Sequence, residues 1–98
     1  MQFSLNFSNS ALDDLNFFRT FEHRLILDEI DVQLRHEPTR TTRNRKPLEP
    51  NELADWELRI GPYRVFYDVD SASGIVKIKA IGHKEHNRLF IRGKEFRL

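Results

Sequence analysis

Cysteine is absent from the 98-residue chain, which excludes a disulfide framework, a thiolate metal site and a thiol nucleophile. No apolar run approaches the roughly 20 residues needed to span a bilayer, and the start shows no basic segment leading into an apolar stretch and a small-residue cleavage site. The sequence therefore points to a cytoplasmic protein with no membrane partner. Glycine and proline are sparse, four of each, so each marks a turn or a break. Net charge is also small at +1, but it is unevenly spread. Residues 1–34 carry −4 and residues 35–98 carry +5; the second part is compatible with a polyanion-binding surface and equally with an ordinary mixed one. This length predicts one domain, residues 1–98, with a single modest core.

The most informative stretch is Trp56–Asp70, WELRIGPYRVFYDVD. Trp56, Leu58 and Ile60 alternate with Glu57 and Arg59; after Gly61-Pro62, Tyr63, Val65, Tyr67 and Val69 alternate with Arg64, Phe66 and Asp68. A period of two on both sides of a Gly-Pro pair predicts a β-hairpin with an apolar face, including Trp56, Tyr63 and Tyr67 as core, and a polar face of Glu57, Arg59, Arg64 and Asp68.

Before it, Met1–Phe7 alternates and predicts a first strand. Ser10 with Asp13 resembles a capping box for a helix beginning near Ala11. A second helix, capped by Thr20, takes Phe21, Leu25, Ile26, Ile30, Val32 and Leu34 as its apolar positions, and Pro38 prevents its continuation. One bent helix is the alternative. Between Pro38 and Glu52 no periodicity appears, and the segment carries Arg40, Arg43, Arg45 and Lys46. So long a loop in a small domain is uncommon unless it binds something or stays mobile. Past the hairpin, Ser71–Gly74 predicts a turn and Ile75–Ile81 a strand. With Val76, Ile78 and Ala80 inward, Lys77 and Lys79 would join Arg59 and Arg64 as four cations on one face. Leu89, Phe90, Ile91 and Phe96 form an apolar tail broken by Gly93.

In this order Tyr63-Arg64-Val65-Phe66-Tyr67 and Ile81-Gly82-His83-Lys84-Glu85 resemble the signature of the RelE/ParE superfamily of bacterial toxins, the toxin half of type II toxin-antitoxin pairs. Thr42-Arg43-Asn44-Arg45-Lys46-Pro47-Leu48 is similar to a loop in one branch of it. The resemblance implies an α+β, microbial RNase-like fold: an N-terminal strand and two helices packed on a twisted antiparallel sheet of about four strands. It also implies a cognate antitoxin as partner, with operator DNA met only through that antitoxin. RelE-like members cleave mRNA in the ribosomal A site without metal or cofactor, which would make mRNA and the ribosome partners here. Their catalytic arginine falls on Arg64 and a second basic residue on Lys84. Two lysines of RelE correspond to Glu57 and Arg59, and a C-terminal tyrosine corresponds to Phe90, which stacks but exchanges no proton.

Metal-free RNA cleavage needs a base for the 2′-hydroxyl, cations for the phosphorane and an acid for the leaving oxygen. Arg64 suits the cationic task, its structural alternative being a pair with Asp68. Histidine titrates near neutrality, so His83 and His86 are the candidate acid and base. Arg59, Lys77, Lys79, Phe90, Arg43, Arg45 and Lys46 are the candidate RNA contacts. His83, Glu85 and His86 lack an evident third or fourth partner for a metal. The expectation is an mRNA endoribonuclease; the alternatives are a ParE-like inhibitor of DNA gyrase without RNase activity and a degenerate member that only binds its antitoxin.

Overall fold

The computed structural model describes residues 2–98, so Met1 of the anticipated first strand lies outside the described residues. The chain forms β1 (Ser4–Phe7), α1 (Asn9–Asn16), α2 (Thr20–Leu34), β2 (Arg45–Pro47), β3 (Trp56–Ile60), β4 (Tyr63–Asp70), β5 (Ile75–Glu85), β6 (Arg88–Ile91) and β7 (Lys94–Glu95). The class is α+β as expected, but the described residues form a sheet of seven strands rather than about four. Their order is β2-β3-β4-β5-β6-β7, with β1 set against β5. β1 runs parallel to β5, Leu5 beside Val76 and Phe7 beside Ile78. One edge of the 11-residue β5 is covered by β4; the other is shared between β1 and β6.

Among the described residues there are two helices, not one bent helix. α1 is capped by Ser8 rather than Ser10: the Ser8 hydroxyl accepts the Ala11 N–H at 3.0 Å, satisfying one of the amides a helix start leaves free. At the start of α2 the Glu22 carboxylate accepts the Arg19 N–H at 2.9 Å. α2 buries Ile26, Ile30 and Leu34, spaced by four so that they share one face. The other apolar positions assigned to it, Phe21, Leu25 and Val32, are exposed on the far side.

The β3–β4 connection is the two-residue Gly61-Pro62 turn, Gly61 at φ +55 followed by proline's fixed negative φ, the sign pattern of a type II′ turn. The core between helices and sheet takes Leu58, Ile60, Tyr63, Val65, Tyr67, Val76, Ile78 and Ile81. Phe66 does not lie on an open polar face. It is fully buried in a second, smaller cluster with Ala54, Ala80 and Leu89, against which Leu48, Leu53, Ile91 and Phe96 pack.

A bulge separates the two halves of β5. Tyr67 pairs with Ile78 but Phe66 with Ala80, leaving Lys79 without an opposite residue. From there the side-chain phase reverses: Val76 and Ile78 face the helices before the bulge, Ile81 and His83 after it. The backbone groups that the bulge frees are taken by residues of α1 and its cap. Ser8 Oγ donates to Lys79 O at 3.2 Å, and the buried Asp14 carboxylate accepts the Ile81 N–H at 3.0 Å.

Candidate functional site

The reversal at Lys79 changes which cations meet. Lys77 stands opposite Asp68 and Lys79 projects from the bulge into a cavity with Arg92 and Glu95, so neither joins Arg59 and Arg64. The four-cation face expected from unbroken alternation does not form. Instead Lys84, brought onto the Arg64 side by the phase change, closes a pocket of about 210 Å³ with Arg43, Lys46, Arg59, Arg64 and Glu57. Five cationic side chains surround one carboxylate there.

Each wall of the pocket has a structural cause. Arg59 and Arg64 are directly opposite on β3 and β4, and Glu57 is the diagonal neighbour of Arg64. The Glu57 carboxylate is 3.8 Å from Arg64 Nε and 3.8 Å from Lys46 Nζ, with its side chain 7% exposed. Arg64 is itself nearly buried, and one of its terminal nitrogens donates to Gly61 O at 2.8 Å and Tyr63 O at 2.9 Å. Its pair is therefore with Glu57, not Asp68, whose carboxylate instead accepts the Asp55 N–H. Burial lowers the Arg64 guanidinium from its usual value while the Glu57 carboxylate pulls it back up; at an arginine's starting value it stays charged. Lys84 is fixed by its backbone, its N–H donating to Pro62 O at 2.8 Å.

The basic loop supplies Arg43 and Lys46 to this pocket but not Arg45. Arg45 is buried and turned towards the end of α2, donating to Gln33 O and His36 O at 2.5 and 3.3 Å. It meets the unpaired carbonyls that a helix end leaves. The segment is pinned elsewhere too: β2 pairs with β3, Arg59 N–H donates to Asn44 O, and Tyr67 Oη donates to Pro38 O.

Of the remaining predicted residues, His83 and Phe90 lie on the other face. His83 follows Tyr63 into the helix side, where its ring stacks on Phe90 (centroids 5.6 Å, 23° between planes) and on Phe17 (6.3 Å, 11°), with Phe18 edge-on. Its Nδ1 is buried without a partner and Nε2 is 3.8 Å from Glu85. His86 occupies the β5–β6 turn with φ +52 and is exposed. Neither histidine lines the pocket of Arg64. Among the described residues, no three metal-ligating side chains converge.

Sequence reading did not single out Glu57 as a reactive group, although its position two residues before Arg59 on the polar side of β3 was visible. It also missed the second cavity, about 430 Å³, lined by Phe17, Phe18, Glu22, Tyr63, His83 and Lys84 among others. There Tyr63 Oη donates to the Glu22 carboxylate at 2.5 Å. That bond holds Glu22 below the usual carboxylate range, and burial, together with the same carboxylate, pushes Tyr63 up to about 12.

Comparison with known proteins adds three findings. Residues 5–88 match the family model described as ParE toxin of type II toxin-antitoxin system, parDE. The fold is similar to a chain of the RelBE2 toxin-antitoxin complex from Mycobacterium tuberculosis, with TM-score 0.75 and 24% identity over 86% of this chain and 93% of that one. It is also similar to a chain of the archaeal RelE-RelB complex from Pyrococcus horikoshii OT3, with TM-score 0.69 and 23% identity over 88% and 99%. No curated protein sequence matches.

Proposed function

The chain belongs to the ParE toxin family of type II toxin-antitoxin systems, and on that premise we propose that it is an mRNA endoribonuclease whose active centre is the pocket of Glu57, Arg64 and Lys84. The observation that carries this reading is the Glu57 carboxylate, sunk in a pocket of about 210 Å³ whose walls carry five cationic side chains. In such a site the carboxylate takes the proton of an RNA 2′-hydroxyl, the 2′-oxygen attacks phosphorus and the P–O5′ bond breaks. The Lys84 ammonium returns a proton to O5′, leaving a 2′,3′-cyclic phosphate and a 5′-hydroxyl. Arg64 and Arg59 stabilise the charge that grows on the phosphorane oxygens. The general base is thus a glutamate, and His83 and His86 leave the mechanism because they stand outside this pocket.

A cognate antitoxin is the expected partner, as in the two complexes of similar fold. Ribosome-bound mRNA is the expected substrate, and operator DNA is reached only through the antitoxin. A second reading is binding without cleavage, as in a gyrase inhibitor. It is favoured by the family model's description and by a pocket lining around Arg64 that includes neither histidine nor tyrosine.

Brief induction in a bacterial host with mapping of new transcript 5′ ends separates the two. Cuts within translated regions that vanish in Glu57→Gln and Arg64→Ala support the nuclease. Growth arrest with intact transcripts and a DNA-damage response sinks it in favour of gyrase.

A further inference from the structure

The phosphate pocket and the aromatic cavity lie back to back at one end of β4 and β5. Tyr63 and Arg64 are adjacent and point to opposite sides of the sheet, and Lys84 lines both cavities. A single-stranded chain whose phosphate rests against Arg64 and Lys84 therefore has a next resting place round the Gly61-Pro62 turn. That place has the components of a base-binding site. Phe17, about half exposed, presents a ring held parallel to His83 and braced edge-on by Phe18 (5.5 Å, 86°). Glu22 lies at the same cavity with its two oxygens each engaged once, by the Arg19 N–H and by Tyr63 Oη. An ionised carboxylate offers about four acceptor positions, so one remains on each oxygen.

We propose that this cavity is a nucleobase pocket, in which the base next to the phosphate at Arg64 and Lys84 stacks on Phe17 and donates two hydrogen bonds to Glu22, with guanine preferred. Guanine is selected because its N1–H and N2–H are adjacent donors on one edge, matching the acceptor position left on each carboxylate oxygen. Adenine and cytosine offer one amino group beside an acceptor, and uracil one N–H between two acceptors. Splayed bases stacked on aromatic rings and read along the Watson–Crick edge are the usual way single-stranded RNA is distinguished. The bond from Tyr63 lowers Glu22 and so favours the carboxylate form that this task uses.

This inference rests on the RNA-binding reading of the basic pocket, and the test separates the two. The purified chain is titrated with fluorescent, non-cleavable 2′-O-methyl trinucleotides of uracil in which one position at a time is guanine, adenine or cytosine. Guanine at one position should bind at least about fivefold tighter than adenine there, the lower end for a bidentate base contact. Glu22→Gln, which keeps an oxygen for the Arg19 cap but replaces one acceptor by a donor, should erase the guanine preference and shift it towards adenine and cytosine, whose edges set a donor beside an acceptor. Phe17→Ala should weaken all four probes by about 5–100-fold, whereas Phe17→Trp, retaining a stacking ring, should not. Arg64→Ala should weaken all probes while preserving the guanine ratio. Binding that depends on Arg64 but ignores base identity and Phe17 overturns the base pocket and spares the phosphate site. Binding indifferent to Arg64 overturns the phosphate reading instead.

Discussion

Across β3 and β4 the Glu57 carboxylate and the Arg64 guanidinium stand 3.8 Å apart, both with side chains close to nine-tenths or more removed from solvent. The pair joins stability to chemistry, because Arg64 also ties down the two carbonyls Gly61 O and Tyr63 O at the turn. Arg64→Ala strands a sunken carboxylate, with Lys46 as its remaining neighbour, and should cost about 1–3 kcal/mol. Arg64→Lys should recover much of that stability, measured by urea unfolding, but little transcript cleavage, since an ammonium lacks the planar fork. Equal recovery of both would reduce Arg64 to a point charge.

Glu57→Gln keeps shape and hydrogen bonding but cannot accept a proton. Cleavage of ribosome-bound mRNA by the purified chain should fall by roughly 10²–10⁴, the usual range for removing a general base. A variant that cleaves within a few-fold of the native rate would exclude Glu57 from that role.

The chain has two tyrosines, and both are raised from the ordinary value near 10: Tyr63 to about 12 by burial and the adjacent Glu22, Tyr67 further still by burial. A folded value above the unfolded one means that their contribution to stability is complete below pH 10 and is lost as pH rises towards 12 and beyond. Ultraviolet titration should therefore show no tyrosinate step centred at pH 10. Ionisation should instead coincide with loss of circular dichroism; a reversible step at pH 10 in the folded chain would contradict the burial.

Asp14, raised by desolvation despite the opposing Ile81 N–H and Arg92, has one essential task, accepting the amide that the bulge leaves free. Asp14→Ala should cost about 1–3 kcal/mol for a buried unpaired N–H. Asp14→Asn, which keeps an acceptor, should cost clearly less, although it gives up the 3.0 Å pair with Arg92. Thermal melts of the two variants at neutral pH give the comparison.

Gly82 lies opposite Arg64, and a Cβ there would come within 2.5 Å of Phe90 O on the neighbouring backbone. Gly82→Ala should therefore destabilise by about 1–3 kcal/mol or more through overpacking, lowering the melting temperature and separating β6 from β5. An unchanged melt would mean that this hairpin yields.

Much of this architecture was legible because alternation is a direct image of a sheet with one covered face: the β3–β4 hairpin, its Gly-Pro turn and its inward Leu58, Val65 and Tyr67 all follow from it. Phe66, an aromatic in the polar register, was the sign of a second covered face, and Leu89 and Phe96 were available to cover it. The bulge was harder to read. Its trace is the adjacent apolar pair Ala80-Ile81, which a run of alternating residues also tolerates as a chance neighbour. Arg45 looked no different from Arg43, because a guanidinium that closes a helix end and one that faces solvent have the same sequence signature. Glu57 was hidden by its sign: in a reading built on cations it looked like a mismatch, whereas a proton acceptor has to be the exception among them.

The extra residue at Lys79 gives β5 two reading frames. Upstream of it, even-numbered side chains serve the main core; downstream, odd-numbered ones do. Absorbing that residue into an unbroken alternation would leave composition, length and hydropathy untouched yet exchange the addresses of everything on one side of it, sending Lys84 among the phenylalanines and His83 among the arginines; deleting it would leave both where they are. A relative that lacks this one-residue insertion thus keeps the same side chains on the same faces under a shifted count, and an ungapped alignment through Lys79 would pair residues that live on opposite sides of the sheet.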